Sequence, residues 1–116
     1  MYSIHKSEAD KLSLVGRDVY VFIGSEKLKG ENLTVGMTEV PPETAMKPHV
    51  HEDREEVIFI IEGTGEAIVG DSIEELRPET AVLFPIGVTH RVVNKSSGVL
   101  KFVFCFNPVN DFSGVK

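Results

Sequence analysis

Three of the four histidines in this 116-residue chain fall in two short strings, His49-Val50-His51 and Pro85-Ile86-Gly87-Val88-Thr89-His90. A carboxylate, Glu56, stands five residues beyond the first string. Imidazole and carboxylate together are the ligands that borderline divalent metals take. On a β-strand, His49 and His51 share a face about 6–7 Å apart, which lets both converge on one ion at about 2.0–2.2 Å each. Glu56 lies at an odd offset from His51, so an unbroken strand would aim it the other way. The intervening Glu52-Asp53-Arg54-Glu55 is too polar for a strand interior, and a loop or bulge there can turn Glu56 back toward the histidines. In the second string Pro85 fixes φ at the exit of the preceding strand, Gly87 permits a tight bend, and His90 opens the next strand.

Taken singly, each piece has a commoner role: an exposed pair of strand histidines, an ordinary turn, one of 18 acidic residues. Order and spacing together point to a metal, provided the chain supplies elements that bring His90 and Glu56 to His49 and His51. Short apolar runs punctuated by Gly, Pro, Asn and Asp every 8–12 residues or so predict an all-β sandwich or barrel. The expected strands are Asp18–Ile23, Leu33–Val40, Met46–Val50, Glu56–Ile61, Gly65–Val69, Ser72–Leu76, Ala81–Phe84, His90–Asn94 and Val99–Phe106. Gly70-Asp71 fits the centre of a hairpin turn, and Glu62-Gly63-Thr64-Gly65 reads as a second hairpin turn. Ser7–Leu14 is expected to form a short helical turn. There is no repeat and no low-complexity linker, so residues 1–116 read as one domain, with a barrel core at about 18–106.

Strand parity places Glu56, Ile58 and Ile60 on one face and Val57, Phe59 and Ile61 on the other. Both faces are apolar, so the strand should be covered on both sides. In a small barrel the outer cover has to come from another subunit, which predicts a homodimer. On the last strand Leu100, Phe102, Phe104 and Phe106 form the expected interior face.

Bulk composition removes several partners. Net charge is −6, from 12 basic and 18 acidic residues, and no basic cluster or basic-aromatic stripe occurs, so a nucleic-acid partner is not expected. No apolar run is long enough to span a bilayer, so no membrane role is expected either. The single cysteine, Cys105, cannot form an intramolecular disulfide, which suits a reducing cytoplasm. Cys105 reads as a small buried hydrophobe and His5 as a surface residue.

The two histidine strings resemble the two motifs of the cupin superfamily, small double-stranded β-helix or jelly-roll barrels. The first motif is HxH, three or four residues, Glu, six residues and Gly, matched by His49, His51, Glu56 and Gly63. Gly63 decides for Glu56 over its neighbour Glu55. The second is PxGxxHxxxN, matched by Pro85, Gly87, His90 and Asn94. The family often has glycine six residues before the proline, where this chain has Glu79. The resemblance implies that His49, His51, Glu56 and His90 ligate one divalent metal in the barrel mouth, and that Asn94 is structural.

Three imidazoles and a carboxylate suit a transition metal, and suit neither Ca nor Mg. Four protein ligands on an octahedral ion leave two positions open, which favours Mn, Fe or Ni, with Zn, Co and Cu as further candidates. Such a centre is expected to act on a small oxygen-bearing metabolite, by dioxygenase, decarboxylase or lyase, or isomerase chemistry. The alternatives are a small-molecule sensor or a simple metal-binding protein. No general acid or base is identified: Tyr20, Glu39 and Arg91 are available, but no spacing places them at the metal.

Overall fold

The structure, a computed structural model, describes residues 1–108. After a three-residue 3₁₀ turn at Lys6–Glu8, the strands are β1 (Asp10–Leu14), β2 (Arg17–Ile23), β3 (Thr34–Val40), β4 (Thr44–Ala45), β5 (Glu55–Glu62), β6 (Gly65–Val69), β7 (Ser72–Leu76), β8 (Ala81–Phe84), β9 (His90–Asn94) and β10 (Leu100–Asn107). They form two sheets, of order β1-β2-β3-β10-β5-β8 and β4-β9-β6-β7, with every strand pair antiparallel. This is the all-β jelly-roll barrel that the periodicity and the motifs predict. No helix among the described residues is long and apolar enough to cross a membrane.

Period-2 patterning drives the packing. Val19 and Val21, Ile58 and Ile60, and Leu100, Phe102, Phe104 and Phe106 all turn inward and are buried together with Val82, Phe84 and Val92. The phenylalanine face of β10 is therefore interior, as parity requires. Between Gly36 on β3 and the Phe104 ring there is no room for a side chain, since a Cβ on Gly36 would stand 2.4 Å from the ring.

Three local expectations are corrected. The segment Ser7–Leu14 contributes only the tail of the 3₁₀ turn, and Asp10–Leu14 is a strand paired with β2. Alternation wins there, because Leu12 and Leu14 pack against the core from one face. The Met46–Val50 strand does not form. Pro48 has no N–H to give to a ladder, so pairing with β9 is reduced to β4, the bond from Met46 N to Val92 O and an isolated bridge at His49. The Glu62–Gly65 turn is not a hairpin: it carries the chain from β5 in one sheet to β6 in the other. Gly63 sits there at φ 87°, and a Cβ on it would come within 2.4 Å of Val99 O. The Gly70-Asp71 hairpin between β6 and β7 is present. β1 extends the larger sheet ahead of residue 18, and residues 109–116 of the expected domain lie outside the described residues.

Candidate metal centre

The two histidine strings are joined backbone to backbone. His49 N donates to His90 O at 2.9 Å, His90 N donates to His49 O at 2.8 Å, and Gly87 N donates to His51 O at 2.8 Å. Gly87 can reach back because it adopts φ 75°, a conformation that costs a side-chain-bearing residue energy. These three bonds do the work that a regular strand at 46–50 was expected to do. They leave the His49, His51 and His90 rings with centroids 4.3–5.2 Å apart.

Glu56 arrives from the other sheet, on the inward row with Ile58 and Ile60 of β5. The bends at Glu52-Asp53 break the parity between His51 and Glu56, so the chain re-aims the carboxylate as the polar insert predicts. Its Oε1 lies 3.5 Å from both His51 Nε2 and His90 Nε2. Those separations are too long for well-formed hydrogen bonds, and both nitrogens are buried without a hydrogen-bond partner.

Second contacts aim the rings. His90 Nδ1 faces Val88 O at 3.2 Å and His49 Nδ1 faces Lys47 O at 3.1 Å. Carbonyls accept only, so each Nδ1 carries a hydrogen, which leaves Nε2 as the ring nitrogen available to a ligand. The His90 ring is stacked on Phe84, 4.0 Å between centroids and 6° from parallel, and His51 meets Phe106 in a T-shaped contact with centroids 5.0 Å apart.

The charge state suits the geometry. Burial pushes Glu56 upward, but His51 and His90 beside it outweigh this and hold its carboxyl below the usual range, so it is ionised. Burial lowers His49 most, the bond to Lys47 O works against it, and the net shift is downward, so its imidazole is neutral and able to coordinate at neutral pH.

One donor atom from each of His49, His51, Glu56 and His90 lies within 4.8 Å of all the others. Ligands about 2.1 Å from a shared octahedral ion stand about 3.0 Å apart when cis and about 4.2 Å when trans, so small side-chain rotations would close the set around one ion. Buried, unpartnered imidazole nitrogens beside an ionised carboxylate fit a divalent transition metal, and the four residues could hold one. Glu55, the competing carboxylate, is exposed at the start of β5.

A cavity of about 200 Å³ opens beside the cluster, walled by Met46, Phe84, Val92, Phe102, Phe104 and Phe106. Tyr20, Glu39 and Arg91 do not line it. Glu39 is held instead by Lys6 and Lys101 at 3.1 and 3.5 Å, and Tyr20 lies under Lys6. Three polar wall residues among those described lie outside the fixed positions of the motifs, Thr38 and the two cations Arg17 and Arg54. Parity finds both arginines: Arg17 continues the inward row of Val19 and Val21, and Arg54 precedes Glu56 by two.

A family model described as cupin domain matches residues 36–106. No curated protein gives a significant match. Among solved structures, TT1209 from Thermus thermophilus is similar at 28% identity, with a TM-score of 0.65 and coverage of 70% of this chain and 77% of that one. KdgF from Halomonas sp. is similar at 19% identity and TM-score 0.79, with 96% of each chain covered. An RmlC-like cupin from Shewanella frigidimarina is similar at 14% identity and TM-score 0.80, covering 96% of this chain and 94% of that one. At such identities the last two likenesses show the fold alone.

Proposed function

The chain belongs to the cupin domain family, and from that premise we propose that it is an enzyme acting on a small oxygen-bearing metabolite at one divalent transition metal. The observation that carries this reading is the convergence of His49, His51, Glu56 and His90 beside a small apolar cavity. A bound metal would supply Lewis-acid or redox chemistry to a substrate oxygen. The protein's own share is to orient the ligands and to line the cavity. Phe84 and the Val88 carbonyl fix His90, while Phe102, Phe104 and Phe106 line the cavity with apolar surface, which strengthens charge interactions beside them.

The size and lining narrow the chemistry. A cavity of about 200 Å³ is below the ~300–1,000 Å³ typical of drug-sized ligand pockets, so the substrate is small. Among the described wall residues Glu56 is the sole carboxylate, and no free histidine joins the cluster's own. With no separate general base on the wall, decarboxylation or dioxygen chemistry is favoured over isomerisation by proton abstraction.

Elemental analysis of the purified protein, beside a His49→Ala/His90→Ala control, tests the reading. Near-stoichiometric Mn, Fe or Ni that is lost in the control supports it, and turnover of small acids with or without oxygen consumption then separates the two reactions. Absence of metal after reconstitution would overturn it in favour of a ligand-sensing barrel.

The outer face of the larger sheet supports a homodimer. Val57, Phe59, Ile61 and Leu83 are 41–50% exposed. Leu83, Val57 and Cys105 align across β8, β5 and β10, with Phe59 beside Val103 in the next row. Such a contiguous apolar row is a typical subunit contact. Phe59→Glu is expected to shift the sedimentation coefficient from dimer to monomer with metal content unchanged. A wild-type protein that sediments as a monomer would dismiss the dimer.

A further inference from the structure

The apolar wall of the cavity is interrupted by two guanidiniums. Arg17, at the head of β2, is half-buried, and no carboxylate among the described residues lies within 4.0 Å of it. Burial works against its charge, and Glu56 supports it from beyond contact distance. Arg54 is held at 3.0 Å by the exposed carboxylate of Asp53, yet its Nε is buried without a hydrogen-bond partner. Its guanidinium lies 5.8 Å from the centroid of Phe106, the ring that also meets His51. Both cations therefore border the space next to the histidine cluster.

Holding the Arg17 guanidinium on an apolar wall costs free energy unless an anion answers it, and Arg54 is answered only by Asp53, a carboxylate largely out in solvent. Among the described residues Glu56 is the one carboxylate on the wall, and it already faces two imidazoles. A divalent ion would leave the cavity more positive still. We propose that Arg17 and Arg54 select an anionic substrate, a small 2-oxo or 2-hydroxy carboxylic acid. Its carboxylate is received by the guanidiniums while a second oxygen faces His49, His51, Glu56 and His90. Arginine suits this role because its planar fork matches a carboxylate with two parallel hydrogen bonds. The placement of the second oxygen rests on the metal-centre reading; the carboxylate preference rests on the two arginines.

Isothermal titration calorimetry of the full chain, Zn²⁺-loaded and metal-free, with L-malate, L-lactate and propane-1,2-diol tests this. Both acids are expected to bind and the neutral diol to give no measurable heat. Arg17→Gln and Arg54→Gln should each weaken malate binding by ~10-fold or more, with metal content and unfolding temperature as in the wild type. Arg17→Lys and Arg54→Lys should recover part of the loss, because they keep the charge and lose the fork. They also decide the matter if a glutamine variant does not fold. Failure of both acids to bind, a diol that binds as well as lactate, or substituted proteins that bind malate like the wild type would each overturn the proposal. A wild-type chain that takes up no metal overturns the metal-centre reading alone. The arginines are then judged by the metal-free titrations, where malate binding that depends on both supports the proposal and binding that does not defeats it.

Discussion

His51→Ala is expected to produce a folded protein that no longer retains stoichiometric metal through dialysis. His51 sits on an irregular extended segment, so removing its ring breaks no strand ladder. Its carbonyl bond to Gly87 belongs to the backbone and survives. Lost instead is one of four donors, together with the T-shaped ring contact to Phe106. Disturbing a residue that merely supports a ligand costs ~10–100-fold in metal affinity, so removing a ligand should cost at least the upper figure. Glu55→Gln is the matched control. Glu55 is adjacent to Glu56 in sequence but exposed, and its loss should leave affinity unchanged. Elemental analysis and calorimetric metal titration read both variants, and circular dichroism reports the fold. Affinity should also fall on acidification below about pH 6, where protons compete for imidazole nitrogens. His49 resists this competition better than a free imidazole does, because its burial disfavours the protonated form. If His51→Ala kept wild-type affinity, the ligand set would be wrong.

The candidate ligands were legible because a metal imposes residue types and spacing together, and both strings satisfy it. Less legible was how the chain delivers them. Parity treats 46–50 as a strand, and the local rule fails at Pro48, whose missing N–H leaves only the bridge at His49. The turn at Glu62–Gly65 has the composition of a hairpin, but which sheet each flanking strand joins is decided by long-range pairing. Glu79, the departure from the family's usual glycine, occupies φ 69°. The backbone there keeps the left-handed conformation that glycine would adopt freely, so the substitution changed the residue and not the turn. Arg17 and Arg54 were readable in principle. They share inward rows with Val19 and with Glu56, yet a lone charge on an apolar face is easily discounted when burial is assumed to exclude it.

Asn94→Ala is expected to lower the unfolding temperature of the metal-free protein by roughly 10 °C, corresponding to about 3 kcal/mol. Asn94 is buried at the end of β9, and none of its hydrogen bonds goes to a candidate ligand. Its amide nitrogen lies 3.1 Å from Val40 O, 3.0 Å from Pro41 O and 2.8 Å from Gly98 O. Two hydrogens are shared among three carbonyls. Its Oδ1 accepts from Ser96 N at 3.0 Å and from Ser96 Oγ at 2.7 Å. One side chain thus ties the end of β3 to the turn between β9 and β10. Alanine would strand the buried Val40 carbonyl and remove the bonds to Pro41 and Gly98, and the penalty for the stranded group adds to the modest net gain of the bonds themselves. Asn94→Asp sharpens the test. A carboxylate keeps the acceptor for Ser96 but sets a second oxygen against the carbonyls of Val40, Pro41 and Gly98, so it should destabilise at least as much as alanine. Thermal melts followed by circular dichroism would show the order wild type, then alanine, then aspartate. An aspartate variant as stable as the wild type would mean that the donor contacts contribute little. The position would then be held by volume, and the motif's last residue would have a packing role in place of a hydrogen-bonding one.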